Sequence, residues 1–406
     1  MTSTTEDLPL FPMPRGAAGC PFDPPPGMLR LHAERPVTRV RLWDGSTPWL
    51  VTRYEDQRAL YGDERLSVDP RQPGFPHFSA AFQEAYSHMP PSFLNMDDPE
   101  HARIRRMVTA PFTIKRIEAM RPAVQRMTDE FVDAMLAGPQ PVDLVEALAL
   151  PLPSLVICEL LGVPYDDHEF FQSRSEVGVR RDASVEESRT ASTELLQYLD
   201  AQLQAKLADP ADDLLSALAA RMRAGELARH DAAMLGLLLL GAGHETTANM
   251  IALGVLALLE HPDQLAIVRD NDDPKVLAGA VEEMLRYLTV VHNGQRRLAL
   301  SDIEIGGEQI RAGEGVIIPG ATGNWQADRF PDPDRLDVRR DVRRHMAFGF
   351  GIHQCLGQPL ARLELQVVYG TLFRRIPTLR RAVDLEKIPF KDDGVVYGVH
   401  ELPVTW

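Results

Sequence analysis

The sequence predicts a mainly α chain with small peripheral antiparallel β-sheets. Helical apolar periodicity dominates from Glu100 to about Asp270. Period-two alternation is confined to short stretches, and no fixed-period repeat or low-complexity tract occurs. No obvious linker divides the chain. We therefore read 1–406 as one domain: an irregular N-terminal arm (1–36), a β-rich part (37–66 and 298–318), a helical part (100–290), and a cysteine loop with its helix (345–376).

The elements follow in order. Proline and glycine crowd the arm, ending in Pro24-Pro25-Pro26-Gly27, which predicts irregular chain wrapped on the surface. Val37 to Trp43 alternates, Asp44-Gly45 marks a turn and Trp49 to Thr52 returns, a β-hairpin. A short helix is expected from Tyr54 to Tyr61. Residues 67–98, proline-rich with Phe75, Phe78, Phe82, Tyr86 and Phe93, read as a long functional loop. Helix breaks are expected at Pro111, Gly138-Pro139, Gly162-Val163-Pro164 and Asp209-Pro210. Leu298–Ile305 and Gln309–Ile318 flank Gly306-Gly307 as a second hairpin, and Val395–Val399 reads as a further strand.

Bulk properties exclude several function classes. With 43 Lys and Arg against 58 Asp and Glu, the formal charge of −15 speaks against an extended nucleic-acid face. Three widely spaced cysteines argue for a reducing compartment rather than a disulfide framework. No apolar run of signal-peptide or membrane-span length opens the chain, so a soluble, cytoplasmic monomer that binds no membrane is expected.

Two stretches carry the chemistry. In Phe348-Gly349-Phe350-Gly351-Ile352-His353-Gln354-Cys355-Leu356-Gly357, one cysteine lies between a glycine-punctuated loop and a helix with Pro359 in its first turn. A helix N-terminus favours negative charge, so Cys355 is a candidate thiolate ligand for iron, with Cys20 and Cys158 left as inert thiols. Asp231 to His261 predicts a helix of roughly 30 residues and about 45 Å. Its first half, Met234 to Leu240, is apolar all round. Gly241-Ala242-Gly243-His244-Glu245-Thr246-Thr247 then puts polar groups in a core helix, which costs several kcal/mol unless they are partnered or wetted. A zinc-protease reading fails because Ala248 stands where the second histidine belongs. A dinucleotide-loop reading fails because no strand precedes the glycines. A kinked helix with a satisfied Glu–Thr pair remains as the plain alternative.

Other pairs are weak alone. Glu283 and Arg286 share a helix face and read in isolation as a surface ion pair; His101 and Arg105 read as a solvated basic face. The run Arg335, Arg339, Arg340, Arg343 and Arg344 before the cysteine loop suggests an acidic partner.

Together, Phe348-x-x-Gly351-x-x-x-Cys355-x-Gly357, the Glu245-Thr246 pair and Glu283-x-x-Arg286 resemble the cytochrome P450 haem-thiolate monooxygenases. Phe11-Pro12-Met13-Pro14-Arg15, Gly19 to Pro25 and Met96-Asp97-Asp98-Pro99-Glu100-His101 resemble the soluble actinobacterial type. The resemblance implies a triangular-prism fold, with haem b between the long central helix and the cysteine-loop helix. It implies Cys355 as the proximal iron ligand and His101, Arg105, His353 and Arg297, with Arg296 as the alternative, as propionate binders. Phe348 would shield the thiolate; Gly349, Gly351, Gly357, Ala242 and Gly243 would let the backbone approach the haem, and Glu283 and Arg286 would be structural.

Oxygen reduction needs two protons at a dry site, which the resemblance assigns to Glu245 as proton source and Thr246 as holder of oxygen and water. It implies insertion of one oxygen atom from O2 into a hydrophobic natural product, terpenoid, steroid, macrolide or xenobiotic. No flavin or iron–sulfur segment is present, so electrons would come from an acidic ferredoxin and its NAD(P)H reductase, docked on the arginine-rich face. The pocket is expected to be walled by Phe93, Leu238, Ala242, Val290, Val291, His292 and Val396, with Gln72 to Asn95 lining or lidding it and Asn293 as a further polar anchor. A non-turnover haem sensor or a haem-thiolate peroxygenase is the alternative.

Overall fold

The computed structural model describes residues 8–15, 19–88, 91–177, 184–392 and 394–406; the rest of the predicted arm, 1–7 and 16–18, lies outside the described residues. The chain divides into two compact units, each assembled from separated stretches.

The first unit (1–104, 279–355 and 392–397) is built on a five-stranded sheet in the order Val37–Arg39, Trp49–Val51, Gly315–Ile318, Gln295–Ala299, Leu66–Ser67. Residues alternate between its faces. Trp49, Val51, Val316 and Ile318 join one apolar cluster; Leu50 and Ile317 join another with Met28 and Leu31. The expected hairpin forms, with Val37 opposite Val51, and the helix Tyr54–Tyr61 follows. One pairing, Trp49–Val316, is parallel, so the sheet is mixed rather than purely antiparallel.

Four local expectations need correction here. The arm is not irregular throughout: Pro26 at the first turn starts a helix, Pro26–Glu34, which buries Met28 and Leu31. The 67–98 loop contains a helix, Ala80–His88. The second hairpin splits: Ile303–Ile305 and Glu308–Ile310 form a small ribbon at the Gly306-Gly307 turn, while Gln295–Ala299 pairs separately with Gly315–Ile318. Val395–Val399 is not a strand; Val399 makes one isolated bridge, to Phe390.

The second unit (105–278, 356–391 and 398–406) is helical, with a small sheet in the order Val142–Asp143, Pro403–Thr405, Arg380–Arg381. Its axis is the helix Arg229–Glu260, 32 residues and therefore about 48 Å long, packed by the helices Pro151–Leu161, Val185–Ala208 and Gln358–Arg375. Every predicted break holds: helices end at Thr109, Ala137, Leu161 and Ala208, and Gly162 closes its helix with φ 80°. Among the described residues no single helix is long and apolar enough to cross a membrane. The helices Arg229–Glu260 and Pro262–Arg269 pass that test only as a pair, bent by 113°.

Candidate active site

In the first unit the cysteine loop is held from both ends. The Cys355 amide donates to the Phe348 carbonyl (2.9 Å), and Gly349 N–H donates to Met346 O (2.9 Å). Gly349 and Gly351 sit at φ 68° and 79°, and a Cβ on Gly351 would stand 2.5 Å from the Tyr61 carbonyl oxygen. Only glycine fits there. The helix Gln358–Arg375 begins after an N-cap at Gly357, so Cys355 stands just outside its first turn rather than within it. The Cys355 side chain is exposed, whereas Cys158 is buried and its thiol pKa is pushed well up by burial.

The loop hangs on a buried network. Glu283 and Arg286 are fully buried, against the surface-pair reading. Arg286 Nε and Nη2 donate to the Glu283 carboxylate at 2.8 Å each, and Nη1 donates to the carbonyls of Asn324 (3.0 Å) and Pro333 (2.9 Å). Asn324 Oδ1 then accepts from Met346 N–H (2.7 Å), at the foot of the cysteine loop. Asp337 N–H and Arg340 Nε also donate to Glu283, at 3.1 Å. The arginine run is therefore no uniform charged surface: Arg340 is spent on this network, while Arg335 and Arg343 pair with Asp337 and Asp341. Arg339 and Arg344 stay exposed.

Beside the loop, His101 stacks on His353 with ring centroids 4.1 Å apart. His101 is 1% exposed, so it is no solvated face. Its Nδ1 bonds the Asp98 carboxylate (3.0 Å), which leaves Nε2 buried without a hydrogen-bond partner. Arg105 lies one turn further along the same helix, Glu100–Thr109. Strand alternation separates the two candidate arginines. Arg297 is buried near Tyr61 and Asp97, with its pKa lowered by burial, and its Nη1 donates to Arg296 O (2.8 Å). Arg296 turns instead into an aromatic cluster.

The expected pocket walls partly converge. Tyr397 N–H donates to Val290 O (2.8 Å) and His292 Nε2 bonds Gly394 O (3.2 Å), which brings Val290, Val291 and His292 alongside Val396. His292 is tied down, and burial, aided by Arg15, holds its pKa at about 4, so it is a neutral wall. Asn293 Oδ1 is buried without a partner, and Phe93 is 2% exposed.

In the second unit the helical hydrogen-bond pattern of the long helix is continuous through Gly241 to Asn249. The helix is not buried all round. Leu238 and Gly243 are half-buried, Gly241 and Ala242 are exposed and Glu245 and Thr246 are half-buried, whereas residues 247–258 are all buried. Spacings of four line Leu238, Ala242 and Thr246 along one stripe, with Gly241 and Glu245 beside it. Thr246 Oγ1 donates to Ala242 O (2.8 Å), Asn249 Nδ2 donates to Glu245 O (2.8 Å), and the buried His244 bonds Leu150 O (3.0 Å).

One neighbour was missed. Burial lowers the Lys391 pKa and the Glu245 charge opposes that, so Lys391 lies within electrostatic reach of Glu245. Lys391 N–H donates to Gly398 O (2.9 Å), and a Cβ on Gly398 would fall 1.8 Å from Asn249 Oδ1. A close backbone approach thus delivers the lysine segment to this helix. No local pattern links Lys391 to residue 245.

Comparison with known proteins gives a consistent answer. Residues 181–397 match the family model described as Cytochrome P450. Cytochrome P450 GfsF from Streptomyces halstedii is 58% identical, with all of both chains covered, and its crystal structure superposes with a TM-score of 0.95 over 98% of this chain and 100% of that one. The structure of cytochrome P450 MoxA from Nonomuraea recticatena is 52% identical at TM-score 0.93, with 98% of each chain covered. A Vitamin D3 dihydroxylase of Streptomyces griseolus is 46% identical over 100% of this chain and 98% of its own. On matches that span its whole length, the chain belongs to the cytochrome P450 monooxygenases, whose members bind haem b through a cysteine thiolate.

Proposed function

We propose that this monooxygenase inserts one oxygen atom from O2 into a C–H bond of a largely apolar natural product, taking electrons from a separate ferredoxin and its NAD(P)H reductase in the cytoplasm. The observation that carries this reading is the cysteine loop: a single exposed thiol on a glycine-bent loop, beside buried cationic and histidine side chains. The relative acting on vitamin D3 supports an apolar substrate by its name, as do Val290, Val291, Val396 and a neutral His292 at the expected wall.

The residues present fit a haem. The orphaned Nε2 of buried His101 and the buried guanidinium of Arg297 suit propionate carboxylates, together with Arg105 and His353. Cys355 would ligate the iron, with Phe348, Gly349 and Gly357 near its sulfur, and Ala242 and Gly243, whose side chains are minimal, leave the long helix open to a planar ligand. When bound, the haem supplies oxygen activation.

This chain's own work is proton handling and positioning. Thr246 has committed its hydroxyl proton to Ala242 O, so its oxygen is left to accept from water. Glu245, half-buried at the next position and facing the Lys391 charge, would pass protons to that water. Asn249 and His244 fix the helix around both. Glu283 and Arg286 set the height of the cysteine loop through Asn324. The exposed Arg339 and Arg344 remain for an acidic ferredoxin.

Reduced, CO-saturated protein should show the strongly red-shifted Soret band of thiolate-ligated haem, lost in Cys355→His. A histidine-type spectrum in the wild type would overturn the site. Product from an apolar panel should then require O2, NAD(P)H, ferredoxin and reductase together. Turnover on peroxide alone, or binding without turnover, would overturn the proposed reaction.

A further inference from the structure

In the helix Ala80–His88, every described side chain from Ala80 to Ser87 is exposed except Phe82 and Tyr86. These two lie four apart, on one face. Both rings lie over the same group: the Arg296 guanidinium carbon is 5.9 Å from the Phe82 centroid and 5.6 Å from that of Tyr86. Phe78 at 4.9 Å and Phe75 at 5.5 Å complete the enclosure. Among the described residues Arg296 makes no ion pair, its Nη1 is buried without a hydrogen-bond partner, and the Tyr86 hydroxyl is its favourable electrostatic neighbour. The charge is compensated by ring faces.

The flanks of the segment are tied down independently. Trp43 Nε1 donates to His77 O (2.9 Å), and the Phe11 ring packs 5.4 Å from Phe78. On the far side, Asp97 accepts from Ser67 Oγ (2.5 Å) and Val68 N–H (2.9 Å). Between those ties the helix packs on Arg296 and, through Tyr86, on the His77 ring (centroids 6.1 Å).

We infer that Arg296 is a positioning residue that latches the helix Ala80–His88 and thereby sets how fast bulky molecules reach the pocket. The inference rests on the reading of residues 72–95 as the pocket's lid. A cation held between desolvated rings is only weakly sensitive to salt.

The test uses the full-length, haem-loaded protein. Arg296→Met should raise hydrogen exchange of residues 80–88 by about tenfold or more, with Arg296→Lys restoring part of the protection. Binding and release of 4-phenylimidazole, followed by its optical shift, should both quicken severalfold in Arg296→Met, while CO binding stays at the wild-type rate. Haem content should not change, because the acceptor for Arg297 is the main-chain oxygen of Arg296. Should Arg296→Met fail to fold, Phe82→Leu with Tyr86→Leu removes the same contact from the helix side. Unchanged exchange overturns the latch. Raised exchange with unchanged 4-phenylimidazole rates overturns its control of access, and haem loss rescued by lysine would make Arg296 a propionate ligand instead. In all three the wild-type protein keeps its thiolate Soret band, which separates them from failure of the haem-thiolate assignment.

Discussion

Two glutamates on helices, Glu283 and Glu245, look alike in sequence and sit in opposite surroundings. Glu283 is fully buried and accepts from Arg286, Arg340 and the Asp337 amide. Glu245 is half-buried and faces one lysine. A saturated carboxylate has no capacity left for water or protons, so it can only hold structure; an unsaturated one on an open stripe can exchange them. Donor count, more than burial, separates scaffold from chemistry here.

The sharpest way to break the contrast is Glu283→Gln. It leaves the Arg286 charge buried and unpaired, and should cost about 3–5 kcal/mol and most of the bound haem. Denaturant unfolding with haem absorbance measures both, and a loss below about 1 kcal/mol would show the network to be dispensable.

Glu364 is the intermediate case: 3% exposed, with Oε2 unpartnered and its pKa pushed up to about 8 by burial. Its folded pKa lies above the ordinary 4.5, so the unfolded chain ionises first as pH rises. Stability from this group is present below about pH 4.5 and lost as pH climbs toward 8, at up to roughly 1.4 kcal/mol per pH unit. The difference in unfolding free energy between wild type and Glu364→Gln should shrink or reverse across that window. A pH-independent difference would mean that Glu364 is ionised or hydrated.

For the open carboxylate the expected signs reverse. Glu245→Gln should slow turnover by roughly 100-fold and shift the pH profile, with stability changed by less than about 0.5 kcal/mol. Full turnover in that variant would place the proton source elsewhere. Thr246→Ala is the mildest: electron consumption continues, product per NAD(P)H falls and hydrogen peroxide appears. Unchanged coupling would show that the hydroxyl holds nothing the reaction needs.

Much of the site was legible because its signals are short-range. The Gly349–Cys355 loop, the Glu245-Thr246 interruption and the Glu283–Arg286 spacing each fit within about ten residues. The helix Tyr54–Tyr61 and the Pro and Gly breaks were legible for the same reason. The helix Ala80–His88 was not, because proline-rich flanks and a weak apolar face mask it, and its anchor, Arg296, lies more than two hundred residues away in the chain. Exposure of Gly241 and Ala242 within an apolar run also escaped, since composition cannot say which side of a helix is left uncovered.

By itself, the sequence determined the helical class, the principal helix breaks and the chemical type of the candidate reactive groups. These depend on periodicity, capping and chemical type, all written within a few turns of chain. Tertiary structure alone decided that strands at Trp49 and Val316 run parallel, that Glu283 gathers further donors from Arg340 and the Asp337 amide, that Lys391 comes within electrostatic reach of Glu245 and that Arg296 rather than Arg297 enters the ring cluster. Each is a pairing between residues far apart in the chain. Such pairings are selected by the packing of the whole core, where local propensity carries no information.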